Sequence, residues 1–255
     1  MKGNHLSFGK RNTAELIKKL SLENTPINKW PFKEVLIKKN PSKDIIDTIV
    51  RKLPKEIKVS YVSGGDLDSM LPGKNHQGVI LLKTVSSRNT YKNFDELIQE
   101  ISVNKSLILV LDRIQDPGNL GNILRTAECF GITNIIVPER DTAPINETVE
   151  RIASGALHHL NLYRVTNLNQ SLEKLKEVGY WIVTTSDKGS EDWSILPELE
   201  EIVLVMGNEG AGVKRLVIDN SDFQVRIPMA GNVSSLNVSV ATGIAIDRIV
   251  NRFNK

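Results

Sequence analysis

Three polar clusters marked by glycine hold the residues of this chain that could do chemistry. They are DPGNLGNILRTA at 116–127, MGNEGAG at 206–212 and RIPMAGNVSSLNVSVATG at 226–243. Each follows an apolar run and precedes a helical pattern. An open parallel sheet presents its ligands at such junctions, so three of them imply one assembled site. In the first cluster Asn119, Asn122 and Arg125 recur every three residues along one helix face, while Leu120, Ile123, Leu124 and Ala127 form the apolar stripe of another. A guanidinium beside amides suits a phosphate or a ribose, because it offers a rigid fork of donors that stays charged at physiological pH. A solvated surface arginine would leave the same pattern.

In the second cluster Glu209 stands between glycines that let backbone approach a ligand; the plainer alternative is a turn with Glu209 in water. A phosphate loop of the Walker type needs lysine and Ser/Thr after its last glycine, and Val213 follows Gly212. The dinucleotide fingerprint fails as well, since the glycines run G-x-x-G-x-G. In the third cluster Ser234, Ser235 and Asn237 open a helix whose apolar face is read as Leu236, Val240 and Ile244. They could hold a polar ligand or serve only as caps. Cys129 is the single cysteine, which excludes an intrachain disulfide, and its place between Ala127 and Phe130 reads as helix packing. His158 and His159 are adjacent and do not converge, so they read as structural or RNA-facing and no metal is expected.

The elements that must position these clusters divide in two. The first part is a small α/β unit with a helix from about residue 13, strands at 34–37 and 57–61, a helix over 42–51 and a closing HQGVILLK. Residues 84–93 are polar and aperiodic, as a linker would be. The second part alternates: helix 94–102, strand 107–111, helix 119–130, strand 134–137, helix 145–153, strand 162–165 and helix 168–178. Strands 181–184 and 202–205, helix 211–218, strand 223–227 and helix 235–252 follow. That alternation predicts a parallel sheet covered on both faces. The domains are therefore read as 1–83, a linker at 84–93, and 94–255.

Charge divides the same way. Residues 1–90 hold 17 basic against 8 acidic residues, a net of +9, and residues 91–255 hold 16 against 22, a net of −6. A basic module points to a polyanion, RNA or DNA, against the plainer reading of solvated lysines. With 40% hydrophobic and 25% charged residues the make-up is that of a soluble globular protein. No signal-peptide core and no spanning apolar run is present, so the expectation is a cytoplasmic protein with no membrane partner.

Taken together, NLGNILRTA, VMGNEGAG and RIPMAGNVSSLNVSVATG resemble, in order and spacing, the three motifs of the SpoU/TrmH family of RNA ribose 2′-O-methyltransferases. SGAL at 154–157 and RVTNL at 164–168 are similar to the family's intervening segments. FGKRNTAELIKKL with HQGV resembles the small, ribosomal-protein-like RNA-binding domain of the branch that methylates guanosine in 23S ribosomal RNA. The resemblance implies an α/β protein, a trefoil-knotted parallel-sheet methyltransferase domain preceded by a small α/β RNA-binding domain. It implies S-adenosylmethionine as cofactor, structured RNA as partner with ribosomal RNA favoured, and a homodimer formed through the knotted domain. Cofactor binding falls to Gly207, Ile227 and Leu236 through backbone groups, with Met206, Asn208, Gly210, Pro228, Met229 and Ser234 around them.

The resemblance also makes Arg125 the residue that holds the substrate phosphate and eases loss of the 2′-hydroxyl proton. Free arginine has a pKa above about 12, so stabilising a forming alkoxide is an easier task for it than acting as a base; both stay open. Asn119 and Glu209 would orient Arg125 or the ribose, and Ser235 and Asn237 would shape the pocket. Two other functions are compatible: the same transfer to a transfer-RNA ribose or another ribosomal-RNA nucleotide, and a catalytically silent RNA-binding assembly factor.

Overall fold

The computed structural model describes residues 6–83, 91–196, 201–232 and 235–251. The chain forms two compact units, Met1–Arg88 with Ile145–His158, and Asn89–Pro144 with His159–Lys255. The first unit runs β1 (Leu6–Phe8), α1 (Lys10–Leu22), β2 (Phe32–Lys38), α2 (Lys43–Thr48), β3 (Lys58–Val62), α3 (Gly64–Met70) and β4 (Val79–Lys83). Its four strands lie in the order β1-β4-β2-β3, with only β2 and β3 parallel. Alternation on β2 supplies both faces: Val35 and Ile37 pack with Leu16, Ile17, Ile45 and Ile49, whereas Leu36 packs with Phe8, Leu67 and Ile80. β1 and α3 escape the sequence reading because one is three residues long and the other buries only Leu67.

The second unit runs β5 (Tyr91–Lys92), α4 (Phe94–Ile101), β6 (Ile108–Leu111), α5 (Pro117–Cys129) and β7 (Asn134–Pro138). Between β7 and the next strand lies α6 (Glu147–Ala153), which packs within the first unit. Then come β8 (Asn161–Val165), α7 (Leu168–Glu177), β9 (Trp181–Ser190), β10 (Ile202–Met206), α8 (Arg215–Asp219), β11 (Phe223–Val225) and α9 (Val238–Val250). The helix expected over 145–153 thus exists but is held in the first unit by polar contacts that periodicity does not reveal. Glu150 accepts from the Ser7 hydroxyl and from Lys83 Nζ, each at 2.8 Å, and a ring nitrogen of His158 lies 3.0 Å from Asn12 Oδ1. The linker expectation falls mostly on 84–90, outside the described residues, while Tyr91 and Lys92 pair with β8.

All strand pairs of the second unit are parallel, in the order β11-β9-β10-β6-β7-β8-β5. The central strands β6, β7 and β10 are buried along their whole length, as expected when helices cover both faces. Asn or Asp caps open α4, α5, α7 and α9, each accepting backbone N–H groups of the first turn. From β6 the chain winds one way through β7 and β8, then returns to β9 on the far side of β10. The carboxyl ends of β6 and β10 therefore form the topological switch point of the sheet.

Two packing expectations are corrected. Cys129 is exposed, because Leu120, Ile123, Leu124 and Ala127 already fill the buried face of α5. α9 begins at Val238 and turns Val238, Thr242, Ala245, Ile246 and Ile249 inward; Val240 is 51% exposed, so the Leu236–Val240–Ile244 line is not the core face.

Candidate active site

Asp112, Gly207 and the polar end of β9 meet at the switch point. Met206 is in register with Leu111, so the first two clusters leave the sheet side by side. Asp116 Oδ1 accepts the Asn119 N–H at 2.7 Å and starts α5 there. The Asn119 side chain then joins all three clusters: its amide nitrogen donates to Glu209 Oε1, and its oxygen accepts from Asn237 Nδ2 at 2.9 Å. Asn237 also caps α9 through Ser239 N–H at 2.9 Å, so the capping and site readings of this residue both hold. With Asn119 engaged at both amide atoms, neither Glu209 nor Asn237 can drift without breaking a hydrogen bond.

Residues 207–212 turn back on themselves, which is why the helix expected over 211–218 shortens to α8. Asn208 N–H donates to Gly212 O at 3.1 Å and Gly212 N–H to Asn208 O at 2.9 Å. Asn208 Oδ1 accepts from Gly210 and Ala211 N–H at 2.9 and 3.1 Å. A Cβ on Gly207 would lie 2.2 Å from Gly212 C and Val213 N, so only glycine fits beneath this turn.

The turn forms one wall of a cleft of ≈ 410 Å³. Met206, Val213, Ile218, Ile227, Leu236 and Ala241 give it apolar surface; Thr185, Ser186 and Asp187, from the carboxyl half of β9, give it a polar edge. Asn208, Glu209, Gly210, Met229 and Ser235 also line it. The size lies within the range of small-molecule sites. A flat, partly apolar nucleoside such as that of S-adenosylmethionine fits this chemistry, because the cleft sets apolar walls against a polar edge and the side-chain-free glycines of the turn.

Of the expected residues, Pro228 is not among those lining the cleft, and Ser234 lies outside the described residues. Arg125 is not brought into the cleft either. It lies six residues beyond Asn119, roughly 9 Å along the helix axis at 1.5 Å per residue. There it is exposed and lines a neighbouring groove between α5 and α9 with Cys129, Phe130, Val240 and Asp247. Sequence reading missed Thr185–Asp187, whose polar character looked like a strand end; β9 instead continues to Ser190 and pairs with Val225. It also missed Asp112 and Arg113. The available signal was a carboxylate directly after an unbroken apolar strand.

The family model of the SpoU rRNA Methylase family matches residues 106–247, which contain all three clusters and the whole cleft. The chain belongs to the SpoU rRNA methylase family. It is an S-adenosylmethionine-dependent RNA 2′-O-methyltransferase. This SpoU protein is 39% identical over 222 residues to an uncharacterized tRNA/rRNA methyltransferase of Borreliella burgdorferi, covering 85% of this chain and 96% of that one. Its fold is similar to that of the SpoU methyltransferase AviRb from Streptomyces viridochromogenes, with a TM-score of 0.75, 23% identity and coverage of 99% and 90%. An AdoMet-bound rRNA methyltransferase from Sinorhizobium meliloti superposes with a TM-score of 0.72 at 25% identity, covering 97% of this chain and 87% of the other.

Proposed function

We propose that this SpoU enzyme methylates the 2′-hydroxyl of a guanosine in 23S ribosomal RNA, working in the cytoplasm as a homodimer. The observation that carries the reading is the Asn119 link, which ties Glu209 and Asn237 together beside a cleft suited to the cofactor. The net charge of +9 on residues 1–90 supports a large, structured polyanion as substrate. Charge alone positions RNA and does not select its sequence.

When bound, S-adenosylmethionine supplies a methyl group made electrophilic by its sulfonium. Gly207, Ile227 and Leu236 would hold it through backbone groups, with Met206, Asn208, Gly210 and Met229 closing around it. We assign Pro228 and Ser234 to the same segment on the family resemblance. Arg125 would hold a substrate phosphate and stabilise negative charge on the 2′-oxygen as its proton leaves. Asn119 and Glu209 would orient the ribose, with Ser235 and Asn237 setting the pocket's edge. The dimer reading is supported by the groove between α5 and α9. There Val240 and Phe130 are 51% and 36% exposed beside Cys129, apolar residues that a second copy would cover while leaving Arg125, on the same groove, to the RNA. We assign the trefoil knot to the segments after β10 on the family resemblance.

Ribose-methylation mapping of RNA from a strain lacking the gene tests the substrate. One unmethylated guanosine in 23S RNA, restored by the purified protein, is expected; a target in transfer RNA would overturn it. Arg125→Ala should abolish methylation while cofactor titration and sedimentation remain those of the wild type. Retained turnover removes Arg125 from this role.

A further inference from the structure

Asp112 is buried, its side chain 1% exposed, and it lies outside every motif that identifies the site. Its carboxylate accepts from Lys214 N–H at 2.9 Å and from Arg113 Nε and Nη2, each at 3.2 Å. Its own N–H donates to Met206 O at 2.8 Å. Arg113 Nη2 also donates to Gly212 O at 3.1 Å, and Arg113 O accepts from Asn208 Nδ2 at 3.1 Å. Two adjacent residues thus hold the glycine turn at Asn208, Gly212 and Lys214. Arg113 does so from the left-handed region, φ 62°, where a residue with a side chain is disfavoured. A strained backbone persists where surrounding contacts over-determine it, and such places cluster at functional sites.

We propose that Asp112 and Arg113 are positioning residues, a clasp that fixes the Gly207–Gly212 turn so that the cofactor cleft is preformed and Glu209 meets Asn119. The inference deepens the reading above and rests on it. The guanidinium is the working part, since its fork reaches the Asp112 carboxylate and the Gly212 carbonyl together; an ammonium offers no such fixed pair. The Asp112 charge in turn needs a cation beside it, because a buried carboxylate left alone is costly.

Arg113→Lys keeps the charge and removes the fork; Arg113→Gly suits the left-handed backbone and removes the side chain. Amide hydrogen exchange in the cofactor-free protein reads the turn directly. Gly210, Ala211, Gly212 and Lys214 should exchange about tenfold faster in Arg113→Lys, with the amides of β6 and β10 unchanged. Titration with S-adenosylmethionine should show affinity weakened about tenfold, and kcat at saturation should fall as well, because Glu209 no longer meets Asn119 in a fixed place. In Arg113→Gly the same turn amides should accelerate further. Turn exchange and affinity within twofold of wild type in both variants would overturn the clasp, and so would acceleration spread evenly over β6 and β10. Failure of the wild type to bind S-adenosylmethionine, with turn exchange still rising in the variants, would refute the cofactor reading and leave the clasp standing.

Discussion

Gly207→Ala puts the geometry of the cofactor turn to its hardest test. The new Cβ would stand 2.2 Å from Gly212 C and Val213 N and 2.5 Å from Gly212 O, whereas ordinary contact begins at 3.4 Å. From 2.2 to 3.4 Å, the backbone at 212–213 must withdraw by about 1.2 Å. Both hydrogen bonds between Asn208 and Gly212 break on that displacement, as does the one from Arg113. A net hydrogen bond is worth about 1 kcal/mol, and overpacking costs about 1–3 kcal/mol. The three lost bonds and the overpacking together give an expected stability loss of about 4–6 kcal/mol, or roughly 8–24 °C in Tm for a chain of this length. Cofactor affinity should fall at least about tenfold, since about 1.4 kcal/mol of lost preorganisation is enough for that. Gly210→Ala is the control: its Cβ would meet only Asn208 Oδ1, at 3.7 Å. Thermal melts and calorimetric titration with S-adenosylmethionine read both effects. Wild-type affinity in Gly207→Ala, or an equal loss in Gly210→Ala, would refute the reasoning.

Asn119→Ala removes the side chain that joins Glu209 to Asn237 and should lower kcat about 100-fold while cofactor affinity stays within about threefold; unchanged kcat would deny the link a role. Asp116→Ala takes away the cap of α5 and should cost about 1 kcal/mol in urea denaturation, with no loss contradicting the cap. Tyr163→Phe tests burial in the sheet. Desolvation, then the nearby Glu100 and Glu96 charges, push the Tyr163 hydroxyl up to about 12. The unfolded chain ionises near pH 10, so wild-type stability from this group is full below about 10 and is lost as pH rises through about 12. The Phe variant gives up the hydrogen bond to Asn134 Oδ1 at 3.3 Å, about 1 kcal/mol at pH 8, and should close that gap between pH 10 and 12. A gap that stays constant with pH would contradict the shift.

The sequence made the long buried elements legible because their patterns are determined by burial alone. β6 and β10 are unbroken apolar runs, β7 is one after Asn134, and the stripe from Leu120 to Ala127 marks α5 without ambiguity. Asn119, Glu209 and Asn237 stand out by residue type and order at strand ends, and the fold joins them by hydrogen bonds. What failed is what depends on distant partners. The polar half of β9 is a strand only because Val225 pairs with Ser190. α6 packs in the first unit through Glu150 and the segment's His158, contacts that no local period encodes. The inward face of α9 could not be chosen from sequence, since Val238, Val240, Ile244 and Ile246 leave apolar residues on several sides. Asp112 and Arg113 were hidden for the same reason, as their partners lie about a hundred residues away.

Nucleoside analysis of RNA incubated with the purified protein and S-adenosylmethionine carrying a labelled methyl group tests the central claim most directly. The account predicts the label in a 2′-O-methylated nucleoside, at an internucleotide linkage that resists alkaline hydrolysis because the 2′-oxygen can no longer attack. Label on a base, or RNA left unlabelled by protein that binds the cofactor, would contradict it.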